Sequence, residues 1–279
     1  MNTDYTLAKY PIREVSARTG VNSVTLRAWQ RRFGLLNPQR TAKGHRLYSE
    51  QDIDTIETIV GWLEKGVAIS QVKPLLDTPN ADVDADHWQQ QIDGLMAQAL
   101  NLNGEGLQQQ LDHLTAMYPF SLVSNRVLQP WLSQWHKQIQ ARADAEGLDS
   151  WLLTQLSLRL STRFTLTNQN NPGPAVALIH LGITPAISRQ LLDLEWTLAG
   201  VRVQPLPLTT LTSLPLILDR LLPRPLLLNL GAKPAASDLN VIRQLTQAGH
   251  SLLLTGEFAQ MHSQKLELAA VPCHKEALQ

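Results

Sequence analysis

Between Ser23 and Arg32 the chain sets Thr25, Arg27, Arg31 and Arg32 among apolar residues at helical spacing. Guanidinium and hydroxyl groups carried on one helix suit groove recognition. An α-helix fits the B-DNA major groove, where Arg, Ser and Thr meet base edges or phosphates. A second basic set, Arg40, Lys43, His45 and Arg46, surrounds a Lys43-Gly44 turn. A basic hairpin of this kind reads as a wing on the backbone or minor groove, where contacts position a protein more than they read sequence. Together with Arg13, these residues (Ser23, Thr25, Arg27, Arg31, Arg32, Arg40, Lys43, His45, Arg46) are the expected DNA-binding set. Charge agrees with that reading. Residues 1–48 hold nine Lys or Arg against Asp4 and Glu14, a net +7, and the neutral whole leaves −7 on the other 231 residues. A concentrated basic head on an acidic body is the footprint of phosphate binding.

The elements that must position these groups are legible. Pro11 suits the first turn of a helix, Ile12 and Val15 can face one core, and Gly20 can supply the positive φ that ends it. Asn22 or Ser23 can cap the next helix, whose Leu26 and Trp29 pack inward. Asn37-Pro38 then breaks the helix, ahead of two short strands joined at Lys43-Gly44. Ser49 can cap a helix from Glu50 to Glu64 with Ile53, Ile56, Val60 and Leu63 on a stripe. Gly66 ends it, Ile69 to Leu76 makes a short last helix, and Trp62 reads as core.

The run from Val24 to Leu36, then Pro38-Gln39-Arg40-Thr41 and Gly44-His45-Arg46-Leu47-Tyr48-Ser49, resembles the MerR family of transcriptional regulators. Ala28-Trp29 and the Gly-His-Arg-Leu of the wing are similar to a subgroup holding cobalamin-dependent photoreceptor repressors of CarH and LitR type and biofilm regulators of MlrA and BluR type. The resemblance covers about residues 5–77. It implies a winged helix-turn-helix, a homodimer on a palindromic promoter element of double-stranded DNA, and RNA polymerase as a partner. For the MlrA and BluR group it implies control of biofilm and curli genes through contact with GGDEF or EAL proteins of cyclic-di-GMP signalling.

The remainder divides by pattern. Residues 78–86 are polar, acidic and broken by proline, and read as a linker after a head of residues 1–77. Residues 87–170 are Gln- and Leu-rich with helical periodicity, predicting helices over Trp88–Leu100, Glu105–Tyr118, Ser121–Arg142 and Leu148–Thr165, a bundle. Pro130 must interrupt the third or sit in its first turn. From 174 to 279 short, nearly continuous apolar runs alternate with helical stretches, which predicts a parallel sheet of four or five strands in flavodoxin-like (Rossmann-like) winding. Thr184-Pro185 marks a helix start. The fold class is therefore multidomain α and α/β: winged helix-turn-helix, helical bundle, parallel sheet.

A bundle followed by such a sheet has the layout of the cobalamin-binding module of the photoreceptor subgroup. That resemblance implies a histidine ligand in the loop after the first strand, but Gly182 to Ser188 carries Pro185 at the place expected for it, and proline cannot ligate cobalt. It also implies a Trp followed about ten residues later by Glu-His, but Asp144 to Trp151 contains no such pair. The expectation is a degenerate cobalamin-binding fold with no cofactor, and with DNA binding indifferent to light. His180 reads as a packed strand residue. Trp131 and Trp135 share a helical face and with Trp151 line either a pocket or, more simply, the bundle core.

Other chemistry finds little support. Cys273 stands alone, so an internal disulfide framework is excluded, and Cys273-His274 is too small a set for a metal site. Phosphate-binding glycine loops and a nucleophile elbow are missing, and Glu257 and Asp238 lack visible catalytic partners. The chain reads as a non-enzyme. Without a long apolar span or secretory signal, it is expected in the cytoplasm, off the membrane. Three readings compete: a protein-gated regulator whose body is a docking platform, a small-molecule-sensing regulator using the modified cobalamin-binding fold and, more weakly supported, a sheet that is a residual enzyme domain.

Overall fold

A computed structural model describes residues 7–77, 86–182, 185–221, 224–273 and 278. The chain divides into two compact units, Met1–Leu152 and Leu153–Gln279.

The first unit begins with β1 (Tyr10–Pro11), α1 (Ile12–Thr19) and α2 (Ser23–Ala28), which continues as a π-helical turn over Trp29–Phe33. Pro11 lies just outside α1 in extended backbone rather than in its first turn, and it pairs with Leu47. Gly20, at φ 70°, closes α1 in the left-handed region that glycine enters freely. Asn22 caps α2, its Oδ1 accepting from the backbone N–H of Val24 and Thr25, both at 2.9 Å. The hairpin of β2 (Gln39–Arg40) and β3 (Arg46–Tyr48) is widened by β1 into an antiparallel sheet of order β1-β3-β2. Ser49 and Asp52 then form a reciprocal capping box at the start of α3 (Glu50–Glu64), followed by α4 (Ile69–Val72) and a tighter turn at Lys73–Leu75. Ile53, Ile56, Ile59, Trp62 and Leu63 of α3 are buried, while Val60 is only half-buried.

Of the expected linker, residues 78–85 lie outside the described residues. The bundle comprises α5 (His87–Leu100), α6 (Gly104–Met117), α7 (Phe120–Val123), α8 (Gln129–Ile139) and the start of α9 (Ala145–Gln169), a helix that runs on from the first unit into the second. The expected helix over Ser121–Arg142 is interrupted by a π-helical turn at Ser124–Leu128, immediately before Pro130 in the first turn of α8. Proline has no N–H with which to carry on the ladder. Trp131 and Trp135 are fully buried, so they are bundle core, while Trp151 is half-buried. Trp135 Nε1 donates to Asp149 Oδ1 at 2.9 Å, whereas Trp131 Nε1 is buried with no hydrogen-bond acceptor.

Head and bundle meet through aromatic side chains with polar tips. Trp88 Nε1 donates to the Leu63 carbonyl at 2.9 Å. The Tyr118 hydroxyl oxygen accepts from the Ile69 N–H at 3.4 Å and lies 2.8 Å from His87 Nε2. The Trp88 and Tyr118 rings pack edge-on, with centroids 4.9 Å apart.

In the second unit four parallel strands alternate with helices: β4 (Ala175–Leu181), α10 (Ala186–Leu198), β5 (Arg202–Leu208), α11 (Leu214–Leu221), β6 (Leu226–Leu230), α12 (Ala236–Gln247), β7 (Leu252–Thr255) and α13 (Ala259–Leu266). The strand order is β5-β4-β6-β7, an open doubly wound sheet as expected. Both faces are covered. Ile179, Leu181, Leu228 and Leu254 join one core, and Val176, Leu178, Trp196, Val203 and Leu227 the other. Burial on both faces explains why the strands read as apolar runs without alternation.

Two tests follow from this packing. Phe at either bundle tryptophan removes similar volume, but only at Trp135 does it leave a carboxylate without its donor. Trp135→Phe should therefore destabilise the first unit by about 1–2 kcal/mol more than Trp131→Phe in urea titrations; equal losses would contradict the assignment.

The units should also respond oppositely to pH. His87 is held below 6.5 by burial and by nearby His113. The unfolded chain takes up that proton first, so stability is full above 6.5 and declines below it. Glu50, drawn down to about 2 by hydrogen bonds from Arg18 and then Tyr10, adds a second loss as pH falls from 4.5. In the second unit burial pushes Glu195 up to about 7, so its contribution is present below 4.5 and is lost as pH rises through 7. Proteolysis at graded urea, with fragments assigned by mass, should release first-unit fragments more easily at about pH 5 than at about pH 8. Second-unit fragments should show the reverse, and Glu195→Gln should abolish that reversal.

Candidate nucleic-acid interface

The geometry of α2 sorts the expected residues. At 3.6 residues per turn, Ser23, Arg27 and Arg31 fall four apart and share a side. Arg27 and Arg31 are exposed, Ser23 is half-buried beside them, and Val24 is 58% exposed on the same arc. Leu26 and Trp29, both fully buried, fill the opposite side. The result is a helix with a cationic outer face and an apolar inner one, held by Asn22 at its start and released by Gly34 at φ 59°, so the left-handed glycine ends it before the Asn37-Pro38 expected to break it.

Thr25 does not join the outer face. Two residues from Arg27 on a helix is a rotation of about 200°, and Thr25 is fully buried. Its hydroxyl accepts from Asn22 Nδ2 at 3.0 Å and lies 3.4 Å from the Ala116 carbonyl as donor. Arg32 emerges on the Thr25 flank. It is exposed, but its Nη1 donates toward Met117 Sδ at 3.6 Å.

The wing presents Arg40, Lys43 and His45 to solvent. Gly44 at φ 80° allows the tight turn, closed by hydrogen bonds between Thr41 and His45 and by Gly44 N–H to the Thr41 carbonyl at 2.8 Å. Arg40 Nη1 donates to the Gly44 carbonyl at 3.3 Å. Arg46 turns inward, its Nε donating to Gln30 Oε1 at 2.7 Å, which ties the wing to the turn that continues α2. Gln30 was not among the expected residues. Its signal was the i+3 spacing from Arg27. Arg13 is exposed on α1.

Not every basic residue of the head is free to meet phosphate. Arg18 grips Glu50 with two parallel hydrogen bonds, Nη2 to Oε2 at 2.6 Å and Nη1 to Oε1 at 3.0 Å, and Tyr10 donates to the same carboxylate. This bidentate pair locks α1 to the start of α3. The Tyr48 hydroxyl is buried without a partner, and desolvation pushes its pKa up.

The second unit's polar groups serve its packing. His180 is 1% exposed in β4, with Nε2 at 2.8 Å from Asp193 Oδ1 and Nδ1 at 2.9 Å from Asn229 Nδ2. The Nε2–H tautomer satisfies both contacts. Asp238 Oδ1 accepts from Thr210 Oγ1 and Leu211 N–H, fixing the approach to α11, while Glu257 is exposed. Burial pushes the Cys273 thiol up, away from the thiolate that nucleophilic or metal chemistry needs. His274, Ile183 and Thr184 lie outside the described residues. Pro185 is exposed and stands immediately before α10. Among the described residues, no three His, Cys, Asp or Glu stand together as a metal set. Among them also, no helix is long and apolar enough to cross a membrane.

Comparison with known proteins agrees with the geometry. Residues 10–78 match the family described as MerR HTH family regulatory protein. The chain is 40% identical over 124 residues to the HTH-type transcriptional regulator MlrA of Escherichia coli (strain K12), covering 44% of this chain and 51% of that one. It is 35% identical over 157 residues to MlrA of Salmonella typhimurium (strain SL1344), covering 56% of this chain and 64% of that one. The chain thus spans between half and two thirds of the length of these relatives. Both alignments are longer than the family-matching stretch, so the likeness continues past the head. To the HTH-type transcriptional repressor CarH of Myxococcus xanthus the identity is 37%, over only 67 residues, 24% of this chain and 22% of that one. The named relatives are regulators of transcription, and the N-terminal region of this chain is accordingly a MerR-family helix-turn-helix, related to that of MlrA-type regulators.

Proposed function

We propose that this protein is a sequence-specific regulator of transcription that binds duplex DNA through α2 and the wing. The observation that carries the reading is the exposed Arg27–Arg31 face of a capped helix whose opposite face is wholly buried. In this reading Ser23, Arg27 and Arg31 enter the major groove. Arg13, Arg32, Arg40, Lys43 and His45 meet the backbone or minor groove, and Arg46 braces the wing against Gln30. Thr25 is left out of the contact set. One such helix offers little surface, so a two-fold homodimer on a palindromic promoter element, beside RNA polymerase, is proposed.

The family resemblance extends the proposal to biofilm and curli genes, with gating by a GGDEF or EAL protein rather than by cobalamin. Two features support gating without cobalamin. Proline at position 185 has no donor for cobalt. The nearby imidazole of His180 is buried with both ring nitrogens engaged. A second reading keeps the small-molecule sensor but not its expected place in the cobalamin-like fold: it draws on a cleft of about 300 Å³ in the first unit, walled by Val60 and Glu64 on one side and Leu122 and Arg126 on the other.

Footprinting should protect an inverted repeat occupied by a dimer. A monomer on an asymmetric half-site at physiological salt would refute the two-fold arrangement. Arg27→Ala should cost about 1–3 kcal/mol on the cognate site and little on a scrambled one. Lys43→Ala should weaken both alike and flatten the salt dependence by about one unit of slope. Equal losses on both duplexes for Arg27→Ala would assign it to phosphate instead. Dark incubation with adenosylcobalamin, then desalting, should leave no corrinoid band and no light-dependent DNA affinity. A retained band near one equivalent, with affinity that changes on illumination, would overturn the protein-gated reading.

A further inference from the structure

The last turn of an α-helix leaves carbonyl oxygens without intrahelical donors. Helix α6 ends at Met117, because Tyr118 is extended and Pro119 follows. Met117 is buried and Ala116 half-buried, so the carbonyls at this end draw donors from elsewhere. The DNA-reading helix supplies them. Trp29 Nε1 donates to the Met117 carbonyl at 2.8 Å, with both residues buried. The Thr25 hydroxyl lies 3.4 Å from the Ala116 carbonyl. Arg32 brings a positive charge to the same turn, at 3.6 Å from Met117 Sδ, where the helix dipole is negative. The next residue, Tyr118, reaches back to the Ile69 N–H at the start of α4. One turn of the bundle therefore holds the flank of α2 and a second point on the head.

We propose that Ala116–Tyr118 is the seat that sets the orientation of α2 in the groove, which makes Met117 and Tyr118 positioning residues for DNA recognition. This rests on the DNA-binding reading above. Met117 and Tyr118 are 1% and 2% exposed, and Trp29 is fully buried, so none of them contacts DNA itself. Their effect passes through the angle of the helix. Hydrogen bonds to base edges are directional, and a small tilt breaks them. Contacts to phosphate tolerate the same tilt. Loosening the seat should thus erode discrimination between sequences before it erodes general affinity for DNA. The seat also makes the bundle a route by which an event in the body reaches the groove.

The test uses the full-length chain, with affinities for the footprinted site and for a scrambled duplex measured at one salt concentration. Met117→Ala empties the seat from the bundle side, Met117→Leu refills it, and Trp29→Phe keeps a ring but removes the donor. Circular dichroism melting establishes that each variant is folded at the assay temperature. Met117→Ala and Trp29→Phe should each lose about three- to ten-fold on the cognate site, the scale of one buried hydrogen bond or its equivalent in packing. The scrambled duplex should change much less, and Met117→Leu should recover the wild-type ratio. Folded Met117→Ala and Trp29→Phe proteins with an unchanged cognate-to-scrambled ratio would overturn the proposal. Should Met117→Ala fail to fold, the ratio for Trp29→Phe decides alone. A wild-type protein that prefers no duplex over its scrambled version would instead overturn the regulator reading, and the seat would fall with it.

Discussion

The hydrogen bond from the Trp29 indole to the Met117 carbonyl is the contact on which the first unit turns. It joins the inner face of the recognition helix to the end of a bundle helix that would otherwise bury an unpaired carbonyl. Once Trp29 and Leu26 are fixed inward, the helical repeat leaves Arg27 and Arg31 no direction but outward. The same economy recurs around it. Trp88 supplies an N–H to the Leu63 carbonyl and Tyr118 an acceptor to the Ile69 N–H, so the aromatic residues of the seam each exclude water and satisfy a backbone group. The head and α5 to α8 belong to one compact unit in consequence, although an acidic, proline-broken segment separates them in the chain.

Electrostatics divides the head's basic residues by task. Arg18 is committed to Glu50 and pins two helices together, and Arg46 braces the wing against the recognition helix. Arg13, Arg27, Arg31, Arg40 and Lys43 stay exposed. A formal charge of +7 therefore overstates what a phosphate backbone would meet. The planar guanidinium fork suits both tasks, since it can grip a carboxylate bidentately or present several donors to solvent.

In the second unit the polar groups near the strand ends are spent on cohesion. His180, Asp193 and Asn229 close a network across β4, β6 and α10, and Trp196 donates to Thr255 on the same side of the sheet. A buried histidine beside an aspartate invites a catalytic reading, but both ring nitrogens are engaged and the ring is sealed from solvent. Such networks give an apolar sheet a unique register, because a shifted strand would strand their members without partners.

Much of this was legible in residue order. The caps at Asn22 and Ser49, the glycine at 20, the wing turn at Gly44 and the apolar runs of the sheet are local signals, since the group satisfied lies within a few residues of the one satisfying it. The cationic face and the family resemblance follow from the same short range. The sequence by itself thus determined the winged head, the helical bundle, the parallel sheet and most of the exposed cationic set of the head. Only tertiary structure decided that Thr25 turns inward, away from Arg27 and Arg31, that Arg18 and Arg46 are internally engaged, and that α6 holds α2. Those outcomes depend on partners as far off as Glu50, Ala116 and Met117. No local pattern reports a pairing made after the chain has folded back on itself, because the orphaned carbonyl and the indole that satisfies it each look ordinary in their own neighbourhoods.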